Sequence, residues 1–160
     1  MINRKTLLEL GWILPSIAIP VGMLVAVIVS AFGMMIHVPA DAGTIQPAAI
    51  DSTPPFDQPG ELRQVGPNEY EIALVAQIWV FNPREIRVPA NSRVTFIATS
   101  RDVIHGLHIE GTNVNVMLIP GRITRQTAVF REPGEYRFVC HEYCGSGHHL
   151  MFGSVIVEET

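Results

Sequence analysis

Only two cysteines occur in this chain of 160 residues, and they lie four positions apart, at Cys140 and Cys144. A scaffold stapled by several disulfides is therefore excluded; the plain structural use left for the pair is one local bridge. Charge is missing altogether from Gly11 to Ile36. A secretion signal has an apolar stretch of only ~7–15 residues, so a stretch this long argues against a cleaved leader, despite the small residues Ala40-Asp41-Ala42 that follow. An excess of positive charge is also missing. Residues 38–160 hold nine arginines against fourteen carboxylates, a net of −5, which argues against nucleic acid and leaves room for a basic protein partner. After residue 37 there is no amphipathic helix of useful length and no internal repeat.

What is present divides into three stretches. Residues 1–37 read as a membrane anchor, with a spanning helix over about 11–36, because a span needs ~20 apolar residues. Pro15 and Pro20 are tolerated better in such a helix than in a soluble one. Arg4 and Lys5 precede the span, and no Lys or Arg follows closely. That asymmetry predicts a single pass through the plasma membrane, with the N-terminus cytoplasmic and the rest on the outer, periplasmic side. Residues 38–68 contain Pro39, Pro47, Pro54, Pro55 and Pro59 and show no periodicity, so they read as an extended linker. From 69 to 160 the pattern becomes short β-branched runs. Strands are expected at Tyr70–Phe81, Glu85–Val88, Arg93–Thr99, His105–Ile109, Asn113–Leu118, Arg125–Phe130, Gly134–Cys140 and Gly153–Glu158. Pro83, Pro89, Asn91 and the Pro-Gly pairs at 120–121 and 133–134 supply turns. The expected fold is mainly β, an antiparallel sandwich or Greek-key barrel.

The chemistry concentrates in Cys140-His-Glu-Tyr-Cys144-Gly-Ser-Gly-His148-His-Leu-Met151. Two thiols, three imidazoles and a thioether are soft or borderline donors, suited to copper and poorly suited to magnesium or calcium. Gly145 and Gly147 allow the tight backbone that convergence requires. A mononuclear blue-copper site uses one cysteine, so the second argues for a dinuclear centre. Another imidazole is then wanted from elsewhere. His105, where a loop meets a strand, is favoured over His108. His37 belongs to the membrane edge, and His141 and His149 are expected to point away from the metal.

This loop resembles the CuA-binding loop of cytochrome c oxidase subunit II. Asp102-Val-Ile-His105-Gly, Ile119-Pro-Gly-Arg122 and Met151-Phe-Gly-Ser-Val-Ile-Val are similar to the same family, over about Tyr70 to Glu158. The single anchor resembles the short form found with B-type haem–copper oxidases. The resemblance implies a cupredoxin-like domain holding two copper ions. Cys140 and Cys144 would bridge them, His105 and His148 would be terminal ligands, Met151 a weak ligand, and Glu142 a ligand through its backbone carbonyl. In many members the Glu142 side chain also reaches a magnesium ion at the border with subunit I. Implied partners are subunit I, further small subunits, and cytochrome c as donor. Trp79 and Phe81 are the aromatics in the region where the family accepts electrons. Met117, Leu118, Leu150 and Phe152 are expected to exclude water from the metals. Other readings are a CuA subunit of a nitric oxide or nitrous oxide reductase, and a membrane-anchored copper chaperone with a Cys-x-x-x-Cys pair. The chaperone reading lacks the helices that its usual fold needs and leaves Met151 unused.

Overall fold

The computed structural model describes residues 3–33 and 40–159 and divides the chain into two compact units, Met1–Val38 and Pro39–Thr160. The first contains one helix, α1 (Arg4–Ile28), continued by a wider π-helical turn over Val29–Gly33. Asn3 caps it: its Oδ1 accepts the Thr6 N–H at 2.8 Å, which satisfies one of the free donors of the first turn. This cap starts the helix seven residues before the predicted Gly11, and Pro15 and Pro20 both lie inside it without ending it. Arg4–Gly33 has a mean hydropathy of 2.4 and buries nothing within the chain. A helix apolar on every side and unburied by protein is long enough to cross a bilayer and suits lipid better than water. The predicted end of the span at Ile36, and His37, lie outside the described residues.

The described residues of the second unit form eleven strands: β1 (Ala40–Thr44), β2 (Leu62–Gly66), β3 (Glu69–Gln77), β4 (Val80–Asn82), β5 (Glu85–Pro89), β6 (Ser92–Ser100), β7 (His105–Ile109), β8 (Asn115–Leu118), β9 (Arg122–Phe130), β10 (Gly134–Val139) and β11 (Phe152–Glu158). One sheet runs β1-β9-β6-β3-β2, with β4 also pairing β3; the other runs β5-β11-β10-β7-β8. The expected all-antiparallel pairing is corrected at two places: β3 and β6 are parallel, as are β5 and β11. The chain leaves the first sheet after β4, makes β5 in the second, and returns as β6. A strand reached by such a crossing can lie alongside β3 in the same direction. The predicted strand Tyr70–Phe81 is likewise two. It ends at Gln77 and folds back, so that Val75 pairs Asn82 and Gln77 pairs Val80, leaving Ile78 and Trp79 in the turn.

Ile72, Leu74 and Ala76 of β3 face the core between the sheets, with Phe96, Phe130 and Phe138. Aromatic rings meet edge to face, Phe81 with Phe138 at 5.3 Å and Phe96 with Phe130 at 6.2 Å, as their quadrupoles prefer. Ala73 and Val75 point the other way, into a second cluster with Ile97, Ile45, Ile50 and Phe56. Both faces of β3 are thus covered, which is why its sequence shows a continuous apolar run rather than alternation.

That second cluster corrects the linker reading of residues 38–68. β1 pairs β9, β2 pairs β3, and a 3-10 turn over Pro47–Ser52 lies between them. Arg101 Nη1 donates to Asp51 Oδ2 at 2.7 Å, tying the segment to the sheet. The prolines remove periodicity but not apolar content. Burying Ile50 and Phe56, each at most 1% exposed, contributes ~1.5–3 kcal/mol apiece, and an uncovered outer face of β3 and β6 would have stayed wet.

Candidate metal centre

Four pieces of chain meet at one end of the sandwich. The β3–β4 turn brings Trp79, the loop before β7 brings Asp102, the first residue of β7 is His105, and the β10–β11 connection brings Cys140 through Met151. The β7–β8 hairpin closes the side. The β10–β11 connection is clamped at its base, where Cys140 N donates to Met151 O at 3.0 Å. Inside it, His148 N donates to Gly145 O and Leu150 N to Gly147 O, both at 3.0 Å. Gly145 has φ +120°, a conformation that disfavours any side chain.

The donors converge within this frame. The two Sγ atoms are 3.9 Å apart and both cysteines are free, so no bridge joins them. Cys140 Sγ lies 3.9 Å from His105 Nδ1 and 3.2 Å from the Glu142 carbonyl oxygen. Cys144 Sγ lies 3.6 Å from His148 Nδ1 and 3.7 Å from Met151 Sδ. Two donors bound at ~2.0–2.3 Å to one tetrahedral ion sit roughly 3.3–3.8 Å apart, so these spacings are near those of ligands sharing ions. Among the described residues, His105, Cys140 and Cys144 bring one ligand atom each to within 4.8 Å of one another, close enough to hold a metal ion. His105 is fully buried, and Cys140, Cys144 and Met151 nearly so. A shielded soft donor set of this kind fits copper.

Electrostatics separate the two thiols. Burial pushes Cys140 up, yet the His105 hydrogen bond, the backbone of Gly106 and Glu142, and Cys144 outweigh it and hold the thiol down to about 6. Cys144 is pushed up to about 11, first by burial and then by the Cys140 charge beside it. Two thiolates so close need a cation between them, and a bound metal ion removes the proton from each.

Asp102 is the functional residue that sequence reasoning passed over. Its Oδ1 is 2.9 Å from His105 Nε2, while its carboxylate accepts the N–H groups of Ile78 and Val103, both at 2.7 Å. Burial alone would raise this carboxyl; the His105 contact and these two N–H groups hold it below the usual range. His105 is raised, because Cys140 and Asp102 outweigh burial. A carboxylate on the far nitrogen fixes the tautomer that leaves Nδ1 for metal. The signal was present in the Asp-x-x-His spacing.

The other histidines lie elsewhere. His108 Nδ1 contacts Val114 O at 3.2 Å, within its own hairpin. His141 Nε2 contacts Val116 O at 3.3 Å, and its ring covers Gly106, where a Cβ would lie 2.5 Å from it. His149 is exposed. The two aromatics separate as well. Trp79 is 42% exposed and lies across the loop, so close to Gly147 that a Cβ there would collide with its indole. Phe81 is fully buried and serves the core. Of the four apolar residues expected to shield the metals, only Leu118 is buried; Met117, Leu150 and Phe152 are each more than a third exposed.

Fold and side chains together define a cupredoxin-like domain with a thiol-rich candidate metal site at one end, preceded in sequence by an apolar helix. Residues 69–160 match the family model for the periplasmic domain of cytochrome c oxidase subunit II. The chain is 36% identical over 157 residues to a cytochrome c oxidase subunit 2 from Thermus thermophilus, covering 94% of this chain and 92% of that protein. It is 40% identical over 116 residues to a second Thermus thermophilus cytochrome c oxidase subunit 2, covering 72% and 86%. A chain of a heme-copper terminal oxidase dimer superposes with a TM-score of 0.78 at 36% identity, over 94% of this chain and 99% of that one. The periplasmic domain of subunit II of a Bradyrhizobium japonicum cytochrome oxidase shares the fold, with a TM-score of 0.52 at 23% identity over 56% and 83%. The chain belongs to the cytochrome c oxidase subunit II family, and so is a subunit of an oxidoreductase.

Proposed function

We propose that this chain carries a dinuclear copper centre, takes electrons from cytochrome c and passes them to haem in the neighbouring subunit, where oxygen is reduced. One observation carries this reading: two free thiols 3.9 Å apart, flanked by an imidazole nitrogen on each. Copper bound there would supply a one-electron couple spread over two ions through shared sulfurs. His105 and His148 would be terminal ligands, Met151 the weak one, and the Glu142 carbonyl a further oxygen donor.

The protein's own part is to hold these donors still. Asp102 orients His105, Gly106 N–H donates to Cys140 Sγ at 3.5 Å, and the Cys140–Met151 backbone bond closes the loop. Ligands fixed in one arrangement for both redox states keep reorganisation small, and burial keeps water from restoring it. Trp79, exposed on one side and lying over Gly145 and Gly147 on the other, is the residue best placed to receive the electron. Helix α1 anchors the domain in the plasma membrane, N-terminus inside, domain outside. That orientation follows from Arg4 and Lys5.

The test is an electron paramagnetic resonance spectrum of residues 38–160 loaded with copper. One unpaired electron shared equally by two copper nuclei gives a seven-line hyperfine pattern. A four-line spectrum, from an electron confined to one ion, would overturn the dinuclear reading.

A further inference from the structure

Seven of the domain's nine arginines fall into two groups. Arg63 and Arg125 pair with Glu71, Arg87 with Glu85 and Glu158, Arg93 with Glu69, and Arg101 with Asp51. Arg84 and Arg137 have no carboxylate partner among the described residues. Both turn instead to one ring: the Arg137 Cζ lies 4.7 Å, and the Arg84 Cζ 5.6 Å, from the centre of Phe152.

The backbone builds this arrangement. Val139 pairs Phe152 and Arg137 pairs Ser154 between β10 and β11, so Arg137 and Phe152 are diagonal neighbours on the outer face of the second sheet. Arg84, in the β4–β5 turn, is pinned from the other side. Its carbonyl accepts the Ser154 N–H at 2.9 Å, and it packs so closely on Gly153 that a Cβ there would collide with that carbonyl. Two guanidinium groups gathered on one ring repel each other in any medium, and a shared anion relieves that repulsion. Stacking on Phe152 restricts both groups and strips part of their hydration, which lowers the cost of forming a bidentate pair with a carboxylate. Phe152 directly follows Met151, so whatever docks here lies one residue from the donor cluster.

We propose that Arg84, Phe152 and Arg137 form a clamp for a carboxylate on the adjoining haem-bearing subunit of the oxidase, positioning that subunit against the metal loop. The inference rests on the functional reading above. The domain is otherwise acidic, with a net of −5 over residues 38–160. It therefore repels an acidic partner surface everywhere except where cations are uncompensated. A standing subunit contact favours arginine, which is enriched in interface cores and pairs bidentately, over the looser contacts of a transient donor.

The experiment uses the assembled oxidase containing the full chain, with electrons injected by flash photolysis of a small ruthenium reductant. The double variant Arg84→Gln/Arg137→Gln keeps its copper content and spectrum but slows haem reduction by at least about tenfold, since one side of a buried charge pair is lost. The Arg84→Lys/Arg137→Lys variant recovers part of the rate. In the wild-type complex, succinate slows the same step more than chloride at equal ionic strength, a readout that needs no variant to assemble. A haem reduction rate within about twofold of wild type in the glutamine variant overturns the clamp, as does insensitivity to succinate. So does a rise in KM for the donor cytochrome at an unchanged internal rate, which assigns the two arginines to the donor. A missing dinuclear spectrum in the wild-type chain would instead count against the functional reading.

Discussion

At the end of the sandwich formed by the β2–β3 and β5–β6 turns and the close of β11, the surface is paired charge. Arg93 meets Glu69 at 3.9 Å, and Arg87, midway along β5, reaches Glu158 at 2.7 Å. At the opposite end stand nine of the ten large apolar side chains that the described residues of the domain leave exposed, among them Ile78, Trp79, Ile104, Tyr143 and Leu150; only Val65 lies elsewhere. The same sheets hold both ends, so the fold does not demand the difference. A contiguous exposed apolar surface is unusual unless a partner covers it. The charged end is finished by water, whereas the candidate metal end presents the apolar surface that the proposed partners would cover.

The strongest way to break this contrast is at the metal end. Cys144→Ser removes a sulfur that would be shared by both proposed ions; the expected outcome is loss of the dinuclear spectrum and bound copper below two per chain, while circular dichroism keeps the β signature. Retention of that spectrum would refute the bridging role. Next comes a site away from both ends. Phe56→Ala empties a fully packed position on the outer face of the first sheet and lowers stability by ~3–5 kcal/mol in urea unfolding. Its copper spectrum stays unchanged; a changed spectrum would show that the cover segment shapes the donors. Met151→Leu is subtler. Two coppers remain bound and the reduction potential shifts, because a weak ligand tunes the site and does not hold it; complete loss of copper would mean that the thioether is structural. Smallest is Arg87→Gln at the charged end. Arg87 has a side chain 60% exposed, so losing its two solvent-screened pairs barely changes the unfolding midpoint and leaves electron transfer untouched. A slower electron transfer would mean that the charged end, too, meets a partner.

The residues that converge at the candidate site were legible because their chemistry is local. Cys140, Cys144, His148 and Met151 occupy one short loop of soft donors. His105 was legible by its place where a loop meets a strand. The cover segment was not legible, since Ile45, Ile50 and Phe56 are isolated apolar residues among prolines and carry no period. Their role depends on an outer sheet face that no local window displays. Trp79 and Phe81 looked equivalent for a similar reason. A straight strand would put positions 79 and 81 on one face, and only the fold-back after Gln77 sends one to the surface and the other to the core. The parallel pairs were hidden because strand direction is set by the crossing between sheets, not by any strand's own residues.

The β10–β11 hairpin bears on the order of synthesis. β11 is hydrogen-bonded to β10 on one side and to β5, some seventy positions earlier, on the other. The donors lie in the stretch that joins β10 to β11, so the cluster cannot close on His105 until β11 has left the ribosome and taken its place between those neighbours. Pairings so distant along the chain also form slowly. The proposed metal would thus be acquired after translation of the sandwich, by a nearly finished domain, and a nascent chain stalled before β11 would present thiols without a cage.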